Sequence, residues 1–165
     1  MWDKGLAYSR QAGDKAMARS AYHDAVGYFE QALSALPHLP KTRATREHAV
    51  DLWLALRTAL LPTGALRRVL AALHEAESLA AALDDPRRLG RVSLFLSRHF
   101  SIMGTYDQAI TVAQHTLVLA TASGDSVLHA LANLYLGTAY QPQGDYCLAI
   151  DCFGQTAAFF DGARR

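Results

Sequence analysis

The feature that most constrains this chain is that it repeats itself. Three segments superpose: Gly64-Ala65-Leu66-Arg67-Arg68-Val69, Gly104-Thr105-Tyr106-Asp107-Gln108-Ala109 and Gly144-Asp145-Tyr146-Cys147-Leu148-Ala149. A fourth copy, Ser20-Ala21-Tyr22-His23-Asp24-Ala25, carries serine in place of glycine. The copies start at 20, 64, 104 and 144, so their spacings are 44, 40 and 40 residues. Four residues after the last residue of each copy stands Phe29, Leu73, Ala113 or Phe153, and an apolar pair four apart precedes each: Ala12/Ala16, Leu56/Leu60, Leu96/Phe100 and Leu136/Tyr140. Self-similarity at this period belongs to chains in which one supersecondary unit cannot bury its apolar face alone and must stack on its neighbours.

The unit is helical. Leu66, Val69, Leu70, Leu73, Ala76 and Ala80 recur at steps of three and four, one face of an α-helix, while no stretch alternates with period two and no Asn-Gly hairpin signal is present. Asp84-Asp85-Pro86 offers a cap followed by proline at the first helical position, and Ser123-Gly124-Asp125 ends one helix with glycine and opens the next with aspartate. These signals predict eight helices over 3–18, 22–36, 43–60, 65–82, 86–102, 105–122, 125–141 and 145–160. The expectation is an all-α, right-handed α-solenoid of four helix-turn-helix repeats. They run approximately over 3–40, 43–83, 86–123 and 125–161 and form a single domain over 1–165.

The residues that repeat also resemble a known family. Leu136-Gly137-Thr138-Ala139-Tyr140, then Gly144-Asp145-Tyr146 with Ala149, then Phe153, is similar to the tetratricopeptide repeat pattern, and the first copy adds Ala25, Phe29, Ala32 and Pro37 in matching places. A period of 40 in place of the usual 34 implies helices about one turn longer each. Ala18-Arg19-Ser20-Ala21-Tyr22, Ala25-Val26-Gly27-Tyr28-Phe29-Glu30-Gln31-Ala32-Leu33 and Leu60-Leu61-Pro62-Thr63-Gly64 resemble, further, the C-terminal repeat region of large bacterial signalling proteins. In those proteins a class III adenylate/guanylate cyclase domain and an AAA-type ATPase domain precede the repeats. The resemblance extends only to the regulatory tail: the chain has no G-x-x-x-x-G-K-[ST] loop and no cyclase metal-binding motif, so neither activity attaches to these residues.

Composition narrows the functional classes. With 51% hydrophobic residues and 16 Lys and Arg against 15 Asp and Glu, the chain is neither disordered nor a strong polyanion binder. Two cysteines support no disulfide framework, and no signal peptide is apparent, which predicts a cytoplasmic protein. The apolar stretch Leu52–Leu61 is interrupted by Arg57 and is half the length of a membrane span. The seven histidines form no i, i+4 pair, no Cys/His ligand spacing occurs, and there is no G-x-S-x-G elbow. No enzyme, metal or cofactor is therefore expected. Arg67, Arg68, Arg87, Arg88, Arg91 and Arg98 cluster in sequence, but Glu75, Glu77, Asp84 and Asp85 accompany them without interleaved aromatic residues. A nucleic-acid-associated regulator using an arginine-bearing face is the alternative function, and a solvated, self-paired face is the stronger expectation.

In such repeats the first helix of each pair lines the concave groove used for binding. Repeat register places Arg10 and Asp14, then Asp51, Leu54 and Thr58, then Arg91, Leu94 and Arg98, then Leu134, Thr138 and Gln141 on that groove. The mixture of apolar groups with arginine suits a protein or peptide segment of some acidity. The final helix carries a second expectation. Eleven of the fifteen residues from Tyr146 to Phe160 are apolar, more than one buried stripe accommodates, so Cys147, Ile150, Phe159 and Phe160 are expected to mediate a homodimer.

Overall fold

A computed structural model describes residues 1–163. Among these residues there are eight α-helices and no strand: α1 Trp2–Ala18, α2 Tyr22–Ala35, α3 Arg43–Leu60, α4 Leu66–Ala82, α5 Pro86–Ile102, α6 Tyr106–Ser123, α7 Ser126–Tyr140 and α8 Tyr146–Gly162. The boundaries agree with the sequence pattern to within two residues, because the signals that set them are local. Asp85 accepts a hydrogen bond from the Arg88 backbone N–H at 3.1 Å, and Asp125 accepts from that of Leu128 at 2.9 Å. Each carboxylate satisfies a helix-terminal donor that has no partner within its own helix.

The chain forms two compact units, Met1–Asp84 with α1 to α4 and Asp85–Arg165 with α5 to α8. In the first unit, consecutive helices pack on one another. The second does the same, and α5 also meets α7. Tyr22, Leu66, Tyr106 and Tyr146 are the first residues of α2, α4, α6 and α8, which places the four sequence copies at one structural position.

The turn before that position needs a left-handed residue. Gly64, Gly104 and Gly144 adopt φ values of 74°, 75° and 83°, and Ser20 takes the same conformation at φ 58°. A residue with a side chain is strained there by about 1–2 kcal/mol, which explains why glycine recurs at three of the four turns.

In the first and last pairs the helices come close at a second glycine. A Cβ placed on Gly13 of α1 would stand 2.6 Å from the Phe29 ring of α2, and one on Gly137 of α7 would stand 2.6 Å from the Phe153 ring of α8. The two pairs occupy equivalent repeat positions. Equivalent positions in the middle repeats hold Arg57 with Leu73 and Ser97 with Ala113, all buried. Ser97 uses the space to donate from Oγ to the Ala109 carbonyl of α6 at 2.9 Å. Ala25, Val69, Ala109 and Ala149, one turn before Phe29 and its equivalents, are at most 2% exposed and let the paired helices close together.

These contacts lead to two stability predictions. Phe29 is 1% exposed and walled in, whereas Phe153 is half-buried and has room to swing. Gly13→Ala therefore loses about 1–2 kcal/mol after overpacking is offset by better helix propensity, and Gly137→Ala stays within about 0.5 kcal/mol of the parent. Urea denaturation followed by circular dichroism measures the order, and equal losses would show that ring mobility does not set the cost. By the same method, Gly104→Ala loses about 1 kcal/mol for its left-handed turn.

Candidate functional site

The second unit carries a candidate binding face. α5 and α7 lie side by side and enclose an open cleft of about 420 Å³, whose lining includes Arg91, Leu94, Phe95, Leu131 and Tyr135. Leu94 and Leu128 belong to a buried cluster with Ala120 and Ala132, and Leu131 and Tyr135 pack against that cluster while keeping part of their surface in the cleft. The cleft floor is thus the outer layer of the core, which gives it a fixed shape. Gly90 helps bring α5 against α7: a Cβ there would lie 2.5 Å from Leu128 Cδ2.

Charge is distributed unevenly around this floor. Arg98 lies 5.6 Å from the Tyr135 ring centroid and donates to its hydroxyl at 3.5 Å. Arg87 pairs with Asp125 at 3.5 Å, and Arg88 with Asp85 at 2.9 Å. Arg91 is exposed and has neither an ion pair nor a hydrogen-bonding side-chain partner among the described residues. One free guanidinium thus stands at the rim of an apolar cleft, with a second held over a tyrosine ring. An acceptor such as a carboxylate on a docked segment would satisfy both.

The other expected groove residues lie as follows. Asp14, Thr58, Thr138 and Gln141 are exposed, and Arg10, Asp51 and Leu134 are half-buried. Leu54 is only 7% exposed and serves the core of the first unit more than any surface. Leu94, at 5%, likewise contributes mainly to the core beneath the cleft. Phe95 and Tyr135 were absent from the sequence expectation. Phe95 lies four residues after Arg91 on α5 and Tyr135 four residues after Leu131 on α7, one repeat apart, so helical spacing could have pointed to both.

On α8, Cys147 is exposed, Ile150 is 67% exposed and Phe160 46%, while Phe159 is half-buried and meets Phe160 edge to face at 5.2 Å. Cys152 is buried among Ala113 and Leu136, and both its burial and nearby Asp151 push its thiol above the ordinary value. Cys147 differs from Cys152 because its side of α8 faces solvent. Among the described residues, no group of three or more His, Cys, Asp and Glu side chains converges as a metal-ligand set. None of their helices is long and apolar enough to cross a membrane. Of the six clustered arginines, three are paired with carboxylates: Arg87 and Arg88 as above, and Arg68 with Glu30 at 2.6 Å.

No family model and no curated protein sequence matches the chain. Solved structures do. Aspartyl phosphate phosphatase F from Bacillus subtilis superposes with a TM-score of 0.83 at 19% identity, over 97% of this chain and 41% of its own. The Rap conjugation gene regulator of plasmid pLS20, in complex with the Phr* peptide, gives 0.77 at 18%, over 93% and 42%. A signal transduction ATPase with a tetratricopeptide repeat sensor from Pyrococcus horikoshii gives 0.83 at 19%, over 96% and 24%. The chain therefore has the all-α fold of tetratricopeptide-repeat solenoids, and it spans less than half the length of each of these three proteins.

Asp85 holds the start of the helix that carries Arg91 and Arg98. Burial pushes its carboxyl up, but the Arg88 backbone N–H, side chain and charge together hold it below the ordinary value of 3.8. A carboxyl whose folded value is lowered stabilises fully above its unfolded value, and that contribution disappears as pH falls through the folded value. Asp85→Ala should thus lose about 1 kcal/mol near neutral pH. In denaturation titrations, the gap between parent and variant should narrow as the pH falls below 3.8. A gap that is constant across that range would mean that the charge of Asp85 contributes nothing.

Proposed function

We propose that this chain is a non-enzymatic protein–peptide interaction module of four repeats, serving as a regulatory or scaffolding part of a larger bacterial signalling protein in the cytoplasm. The observation that carries the proposal is the α5–α7 cleft, an apolar floor built on the core with an unengaged Arg91 at its rim. The ligand that complements it is an extended or helical segment with an apolar anchor residue and a neighbouring carboxylate. Arg10, Asp14, Asp51 and Thr58 are the groove positions of the first unit, and Leu134, Thr138 and Gln141 extend those of the second. Two structural neighbours support the reading by analogy: the Rap regulator was solved with a peptide, and the Pyrococcus protein uses its repeats as a sensor. The self-pairing of Arg87 and Arg88 argues against a nucleic-acid face.

Selection of random peptides displayed on phage tests this function. Sequences that join Asp or Glu to Leu, Ile or Phe should be enriched on the parent protein and lost on the Arg91→Glu/Arg98→Glu variant. Enrichment that survives this double reversal would overturn the α5–α7 assignment.

We also propose that α8 mediates a homodimer through Cys147, Ile150, Phe159 and Phe160, supported by the exposed apolar surface at Ile150 and Phe160. Light scattering should then report a mass near twice 18.0 kDa, and Phe160→Glu should return the protein to the monomer. A parent protein that stays monomeric at high concentration would defeat the dimer.

A further inference from the structure

The first unit has an apolar cleft of its own, about 410 Å³, where the end of α2, the start of α3 and the last turns of α4 meet. Leu33, Leu36, Ala49, Trp53 and Leu79 line it, and Lys41 and Arg46 stand at its edge. Three departures from the repeat rule coincide there. Seven residues separate Ala35 from Arg43, against three between α4 and α5 and two between α6 and α7; they include Pro37 and Pro40. Trp53 is half-buried at a position that Ser9, Ser93 and Asn133 fill in the other repeats, all at most 9% exposed. The longer connection and the large ring thus leave open a place that is closed elsewhere.

The third departure is electrostatic. Lys41 and Thr42 lead into α3, which begins at Arg43 with Arg46 one turn on, and its first turn contains no acidic residue. Cations at a helix N-terminus oppose the macrodipole, so this arrangement works against the helix that carries it. Arg43 is engaged, donating to Glu47 at 3.0 Å and to the Leu83 carbonyl at 3.2 Å. Lys41 and Arg46 are exposed, and their side chains have neither an ion pair nor a hydrogen bond among the described residues. No acidic residue lines the cleft. Thr42 caps the helix by accepting from the Thr45 N–H, so the uncompensated departures are the cations Lys41 and Arg46 beside the open Trp53, a coincidence expected of a binding site.

We propose that this cleft is a second docking site, distinct from the α5–α7 face, for an acidic peptide segment that seats one aromatic or leucine side chain against Trp53 and its carboxylates on Lys41 and Arg46. The volume accommodates one large side chain with its flanking backbone, and the two unpartnered cations select anionic neighbours on that side chain. Arg46 lies on α3 and Lys41 on the connection, so the carboxylates would flank the anchor residue in sequence.

The test titrates the nitrogen-labelled full chain with the acetylated, amidated peptide Asp-Glu-Phe-Leu-Asp-Glu and follows amide shifts by NMR. Saturable shifts at Leu36, Lys41, Arg46, Trp53 and Leu79 are expected. Lys41→Glu/Arg46→Glu should weaken binding about tenfold or more, since charge-assisted contacts are lost and replaced by repulsion. Trp53→Ser, which introduces the residue of two other repeats, should remove the contribution of the anchor. The charge variants change exposed side chains and keep the test valid even where Trp53→Ser disturbs folding. Equal binding of Lys-Arg-Phe-Leu-Lys-Arg, or of Asp-Glu-Gly-Ser-Asp-Glu, overturns the proposal, as does the lack of saturation. Shifts confined to Arg91 and Tyr135 would overturn it while supporting the α5–α7 face. Binding to phosphatidylserine vesicles with none to the peptide would assign the cations to a lipid surface.

Discussion

Everything in this structure depends on how closely the two helices of a repeat can approach. At Gly13 and Gly137 the approach leaves no room for even a methyl group, because the Phe29 and Phe153 rings occupy it. A small residue on one helix and a large one on its partner is the close-packed solution for two helices in contact, and the first and last pairs share it. The middle repeats reach the same end differently. Ser97 opposite Ala113 exchanges ring packing for a buried hydrogen bond to Ala109, and Arg57 is buried where glycine or serine stands elsewhere. The left-handed turn at Ser20, Gly64, Gly104 and Gly144 then returns the chain at the angle that this packing needs.

In the second unit α6 packs on both α5 and α7, and these two first helices also meet each other. This produces the α5–α7 cleft, where Leu94 is given to the core while Arg91 remains in solvent only three residues away. The arginines illustrate the consequence. Arg87 and Arg88 pair with Asp125 and Asp85 at helix starts, whereas Arg91 makes no such pair and Arg98 lies over the Tyr135 ring. The self-pairing expected of the clustered arginines thus holds for Arg87 and Arg88 and not for Arg91.

In the first unit the departure from periodicity matters more than the repeat. The 44-residue spacing between the first two copies reads in sequence as a minor irregularity. In the fold it becomes the seven-residue connection that keeps Trp53 accessible beside Lys41 and Arg46. Loops tolerate such insertions at little entropic cost, so an added function is easily accommodated there.

What the sequence by itself determined is the part governed by local rules: helix limits, from caps such as Asp85 and Asp125 and from left-handed glycines, and repeat register, from the recurring small and aromatic positions. Helix pairing followed from those, since neighbours in sequence pack as neighbours in space. What only the tertiary structure decided is the depth of each side chain. Leu54 and Arg91 satisfy the same spacing rule, yet one is core and the other solvent, because a helical period gives direction around an axis and not distance from the partner. The adjacent Phe159 and Phe160 divide in the same way, about 100° apart on α8, one half-buried and one exposed. Helical spacing can place Phe95 and Tyr135 on one face of their helices, but the cleft they line together exists only through the approach of α5 to α7, a contact between helices that are not consecutive and that no local signal records.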